Sequence, residues 1–184
     1  MKKLPKAPLQ EVIFEAKWDL DISPDTNLQF DSGLDTAVGE LRALIKDKFP
    51  IFKRKQPNEI PVQLLNHQIV YQYWKGENTW PIMQLGPGIF TINDTEKNYE
   101  WDNNYYPLIN YGIKKLIEAY GKQPNFRFTS LRYIDVVKVR NYEFDNWHNF
   151  IKNNLNFNFE NQFDTRGELR KFSFSQEFKI DDDT

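Results

Sequence analysis

The chain predicts an α+β fold in which four antiparallel strands and two helices follow one another as β-α-β-β-α-β, the ferredoxin-like or split β-α-β plan. Three observations carry this expectation. Residues from Val12 to Leu20 alternate apolar and polar. Two later stretches, within 34–49 and 101–120, repeat apolar side chains at helical spacing. Strand patterns broken by turn residues fill the space between and after them. Right-handed crossovers would lay both helices on one face of the sheet.

The first strand sets Val12, Phe14, Ala16, Trp18 and Leu20 against Ile13, Glu15, Lys17 and Asp19, the period of a half-buried strand. Residues 23–33 read as loop. Asp35 is the expected N-cap of a helix with the stripe Leu34, Val38, Leu41, Leu44, Ile45 and Phe49. Lys46 and Lys48 suit its C-terminal dipole, and Pro50 stops it. Residues 51–61 are expected to form a polar, basic connector. A second strand is predicted from Val62 to Trp74, best defined from Ile69, with a hairpin turn at Lys75-Gly76-Glu77-Asn78. The third runs from Pro81 to Asn93 and contains Gly86-Pro87-Gly88. Glycine admits positive φ and close backbone approach, and proline donates no ladder hydrogen bond, so a rigid bend inside the sheet is expected there.

The second helix has Trp101, Tyr105, Leu108, Ile109, Ile113, Leu116, Ile117 and Tyr120 near one stripe. Pro107 disfavours helical geometry at Tyr106, which predicts a short turn before Pro107 and a continuous helix from there to Tyr120. Gly121 fits the C′ position, and Pro124 blocks continuation. A fourth strand over 126–139 has conflicting parity, because Phe126 and Phe128 share a face with Arg132 and Lys138. A bulge near Ser130 would resolve it. A short helix capped by Asp145, with Trp147 and Ile151, follows. A last strand sets Phe172, Phe174, Phe178 and Ile180 against Ser173, Ser175, Glu177 and Lys179. The organisation is thus an α+β domain over 1–140 and an extension over 141–184, read as the start of a second unit. The sheet face away from the helices is left solvated, covered by the C-terminal segment, or buried in a partner.

Composition narrows the function classes. With no cysteine there is no disulfide, thiol nucleophile or cysteine zinc site. Two histidines, His67 and His148, exclude a histidine-rich metal centre, and no Gly-x-Ser-x-Gly elbow is present. No cofactor is implied. A net charge of −2 gives no general attraction to nucleic acid or anionic lipid. No apolar run has the length of a membrane helix, and Pro5, Lys6, Pro8 and Glu11 interrupt any signal-peptide core. A cytoplasmic location is expected. Aromatic residues reach 16%, which reads either as a binding surface or as the bias of an AT-rich coding sequence.

Three stretches taken together resemble a sporadically distributed bacterial family of uncharacterised proteins. They are Pro8-Leu9-Gln10-Glu11-Val12-Ile13-Phe14-Glu15, Gln84 to Asn93, and Leu131-Arg132-Tyr133-Ile134-Asp135, supported by Tyr99 and Trp101. The resemblance spans roughly residues 4–140. It implies no established catalytic residues. It also implies longer relatives, so the end at Lys179-Ile180-Asp181-Asp182-Asp183-Thr184 is expected to be a truncation. Sporadic distribution suits an accessory, including a defence, role.

Several constellations are candidates for chemistry or contact. Gly86, Pro87 and Gly88 form either a sheet corner or a weak anion nest. Arg132, inside an apolar strand, calls for a carboxylate: Asp135 across a bulge, or Glu11 or Glu15 on a neighbouring strand. Lys46, Lys48, Lys53, Arg54 and Lys55, interleaved with Phe49 and Phe52, could contact phosphates or serve as helix-end and loop charges. Tyr71 and Tyr73 are candidate anchors on the face opposite the helices. The expectation drawn from these is a non-enzymatic module of protein–protein contact or self-association. The alternatives are nucleic-acid binding through 46–55 and a carboxylate-metal hydrolase.

Overall fold

Six strands form one antiparallel sheet in the computed structural model, which describes residues 9–95, 99–136 and 147–155. The chain divides into two compact units, 1–136 and 137–184. In the first, the elements are β1 (Leu9–Trp18), a two-residue pair β2 (Asp21–Ile22) and β3 (Gln29–Phe30), α1 (Leu34–Ile45), β4 (Ile51–Arg54), β5 (Tyr71–Gly76), β6 (Thr79–Gly86), β7 (Ile89–Thr95), α2 (Tyr106–Tyr120) and β8 (Phe126–Asp135). The second contributes α3 (Trp147–Leu155), which bears the buried Phe150. Asp145, the strand expected at 172–180 and the acidic end at 181–183 lie outside the described residues.

The sheet order is β4-β5-β6-β7-β1-β8. The fold is therefore mixed α+β, as the alternating helix and strand patterns require. Its strand count departs from the expectation in two places. Gly86-Pro87-Gly88 does not bend one strand; it reverses the chain, and Gly86 pairs with Ile89 across a two-residue turn. The expected connector after α1 begins as a strand, with Ile51 to Arg54 paired to Trp74 to Tyr71. The strand predicted from Val62 starts only at Tyr71, after a 3₁₀ turn at Val62–Leu64. Six strands replace four, and α1 links β1 to β4 across β7, β6 and β5.

Both helices share one hydrophobic core with one side of the sheet. Leu34, Ala37, Leu41 and Ile45 of α1 and Ile109, Leu116 and Ala119 of α2 meet Val12, Tyr73, Met83, Leu85, Phe90 and Ile92. The strand alternation read from the sequence supplies this face, because Val12, Ala16 and Trp18 are all buried. Where α2 crosses the sheet, a Cβ on Gly112 would lie 2.7 Å from Ile92 Cδ1. Gly33, not Asp35, occupies the N-cap of α1; Asp35 sits in the first turn, where a carboxylate still favours the helix dipole. A π-helical turn at Trp101–Tyr105 precedes α2, and Pro107 falls in its first turn, where its missing N–H costs nothing. Gly121 closes it at φ 67°.

The parity conflict in β8 is also resolved differently. Ser130 pairs regularly with Glu15, and the irregularities lie at the ends, between the partners of Leu9 and Glu11 and of Lys17 and Trp18. Phe126 thereby turns toward the core beside Trp18, with the two rings 6.0 Å apart.

Candidate functional site

The two edges of the sheet differ in a way that bears on function. β4 is four residues long and carries Lys53 and Arg54. Short, charged strands of this kind resist further pairing. β8 is ten residues long and has apolar side chains on both faces. Phe128 is 49% exposed, Tyr133 46%, Leu131 37% and Ile134 36%. Among the described residues, β8 pairs with β1 alone.

The direction of the β8 amides that β1 does not take follows from the other side of β1. Phe14 N–H points toward β7, since it donates to the Tyr105 hydroxyl, which itself donates to the Ile92 carbonyl. Trp18 N–H likewise meets Gly88 O, just before β7. Amides alternate in direction along an antiparallel strand, so Ile13 and Glu15 turn toward β8. They face Arg132 and Ser130. The intervening residues Thr129, Leu131 and Tyr133 then direct their N–H and C=O groups away from β1, to an edge that pairs with no other strand among the described residues.

The Gly86-Pro87-Gly88 turn is a structural junction. Proline at its second position and Gly88 at φ 69° match the residue preferences of a type II turn. A Cβ on Gly86 would fall 1.8 Å from Gln68 O, and one on Gly88 2.7 Å from the His67 ring. Gly88 N–H donates to Asp31 Oδ2 at 2.9 Å, and His67 N–H donates to Pro87 O at 2.8 Å. No anion nest is built, because the one free donor is spent on a carboxylate. Asp31 also accepts the Tyr120 hydroxyl at 2.9 Å and the Gly33 N–H at 3.2 Å.

On the face away from the helices, a polar belt runs across four strands. Gln72 Nε2 donates to Gln84 Oε1 at 2.7 Å, and Gln84 Nε2 donates to Thr91 Oγ1 and Asn93 Oδ1 at 3.0 and 2.9 Å. Asn93 Nδ2 continues to Glu11 Oε1 at 2.7 Å. Gln84, Thr91 and Asn93 are buried, as are Ile82 and Ile89 beside them. The centre of this face is therefore not an open contact surface. Its polar groups are paired, as buried polar groups must be.

The other sequence-derived candidates separate in space. Tyr71 and Tyr73 lie on the helix side. Tyr73 is fully buried, with its hydroxyl donating to Val38 O at 3.0 Å, and Tyr71 stacks on Phe52. Neither anchors an outer face, because the β5 register turns them inward. Burial holds the Tyr73 and Tyr120 hydroxyls well above the usual phenol range, and the Asp31 carboxylate adds to this at Tyr120. Lys46 is exposed at the end of α1. Lys48 Nζ lies 4.3 Å from the Tyr111 ring centroid, and Lys53 Nζ lies 5.6 Å from that of Trp74 on the opposite sheet face. Arg54 holds its own loop through Gln56 O, Pro57 O and Ile60 O, while the Lys55 N–H joins Val70 O. The five residues do not make one basic patch. Arg132 is exposed rather than buried, Glu15 pairs with Lys17 at 3.0 Å, and Glu11 is engaged by Asn93. A buried Arg132–carboxylate pair is therefore not formed. Asp135 ends β8 opposite Leu9.

An open cleft of about 330 Å³ is lined by Lys48, Lys75, Asp94, Asn103, Asn104 and Tyr111 among others. Among the described residues, no three histidine or carboxylate side chains are grouped to hold a metal, and no helix is long and apolar enough to cross a membrane. No family model matches the chain, and neither a curated protein nor a solved structure matches it. The Asp31 junction and the β8 edge were not singled out by sequence reasoning. The signal for the edge was present in the apolar residues at both parities of 126–136.

Proposed function

We propose that the chain is a non-enzymatic protein–protein contact module whose working surface is the β8 edge. The observation that carries this reading is the contrast between a short charged edge at β4 and a ten-residue edge at β8 with exposed apolar side chains on both faces. Sheets that end in an unguarded strand are extended by strand addition, in which main-chain hydrogen bonds give affinity and alternate side chains give specificity. The strand order reads as a widened version of the split β-α-β plan, with the hairpin β5-β6 inserted beside β7, between β1 and its crossover partner β4. The three-motif resemblance supports a cytoplasmic bacterial accessory setting. The placement of Lys48 and Lys53 on different faces of the sheet weighs against the nucleic-acid alternative.

Leu131→Pro tests the reading. Proline is tolerated in an edge strand where its nitrogen faces outward, so the β1 ladder survives while one donor of the open edge disappears. A binding species held by the natural chain, its own copy included, should be lost in this variant at unchanged circular dichroism. The same species retained by both chains would overturn the proposal.

A further inference from the structure

We infer that the partner at β8 is a second copy of this chain, joined by antiparallel pairing of β8 with its twin about a two-fold axis at Leu131. The inference rests on the β8-edge reading and adds the identity and register of the occupant. A two-fold axis perpendicular to a sheet pairs residues of like parity, since facing residues share a face. β8 runs from Phe126 to Asp135, so axes at Ser130 and Leu131 give the fullest overlap.

Charge and polarity decide between the two. Centred on Leu131, the pairing sets Arg127 against Asp135 of the second copy, Phe128 against Ile134, Thr129 against Tyr133, Ser130 against Arg132, and Leu131 against itself. Each apolar side chain of the even-numbered face meets an apolar one, and Arg127, whose Nε is held by Asp19 at 2.6 Å, meets the negative end of the other strand with the rest of its guanidinium. Centred on Ser130, the same strand would set Phe128 against Arg132 and Arg127 against Tyr133, and leave Asp135 without a cation. An axis at Arg132 would place two guanidinium groups face to face. The outward amides of Thr129, Leu131 and Tyr133 match the Leu131 register, for Leu131 then forms a hydrogen-bonded pair with its twin. Two six-stranded sheets become one continuous sheet, and the unguarded edge disappears.

The chain has no cysteine, so single substitutions report the register directly. Facing Cα atoms in such a pair stand about 5.5 Å apart, within disulfide range. Under mild oxidation, Leu131→Cys should form a covalent dimer. Thr129→Cys alone should not, yet it should cross-link when mixed with Tyr133→Cys. In light scattering the natural chain should show twice the monomer mass at micromolar concentration, and Leu131→Pro should show the monomer mass. A natural chain that stays monomeric, or a Leu131→Cys chain that stays uncrosslinked while Thr129→Cys pairs with itself, overturns the self-pairing. If the natural chain is monomeric but holds a different protein that Leu131→Pro loses, the edge reading stands and only the second-copy inference fails. If neither association depends on Leu131, both fail.

Discussion

The Phe14 N–H donates at 2.7 Å to the Tyr105 hydroxyl, which in turn donates to the Ile92 carbonyl at 2.6 Å. A side chain from the turn before α2 thus enters the ladder between β1 and β7, fully buried. It fixes where the helix begins relative to the two central strands. It also shows which way the β1 amides point, and hence which β8 amides turn away from β1.

Tyr105→Phe keeps the ring and removes the bridge. The Phe14 N–H and the Ile92 carbonyl lose a shared partner inside the core, and leaving such groups unpaired costs about 1–3 kcal/mol. Urea unfolding should show a lower midpoint with the slope unchanged. A midpoint equal to that of the natural chain would mean that the two strands close the gap directly.

Asp31 is expected to act as one unit with Tyr120 and Gly88. Its carboxylate ties the loop before α1 to the β6–β7 turn and to the last turn of α2. Asp31→Ala should destabilise by about 2 kcal/mol, because a half-buried phenol and a turn amide are orphaned together. Tyr120→Phe should cost less. In a double-mutant cycle the two changes should couple by about 0.5–3 kcal/mol, since they remove the same bond. Simple additivity would count against the junction.

Stability should decline at high pH. Burial holds the hydroxyls of Tyr73, Tyr105 and Tyr120 above the ordinary phenol range in the folded chain. Unfolded tyrosine loses its proton near pH 10, so above about that pH the unfolded state binds fewer protons and gains on the folded one. The stabilisation is complete below about pH 10 and drains above it, by about 1.4 kcal/mol per pH unit for each such tyrosine. Thermal melts should be level between about pH 7 and 9 and fall beyond, and the fall should be shallower in Tyr73→Phe. A melting temperature unmoved up to about pH 11 would contradict this.

What could be read from the residues was whatever depends on near neighbours in the chain. The alternation from Val12 to Trp18, the stripe of α1 from Leu34 to Ile45 and the left-handed Gly121 each follow from periodicity or from one residue's backbone freedom, whereas α1 ends at Ile45, before the stop expected at Pro50. The broad α+β class follows from their order. What the sequence left open depends on contacts between distant segments. Gly-Pro-Gly can bend a strand or reverse it, and the choice was made by the ladder from Gly86 to Ile89 and by the 65–70 segment packed against it. Residues 51–54 became a strand because β5 offered an unpaired edge. Tyr71 and Tyr73 went inward and Arg132 outward because register, not residue type, assigns faces to a strand whose both parities are mixed. The same rule left β8 with apolar side chains in the open.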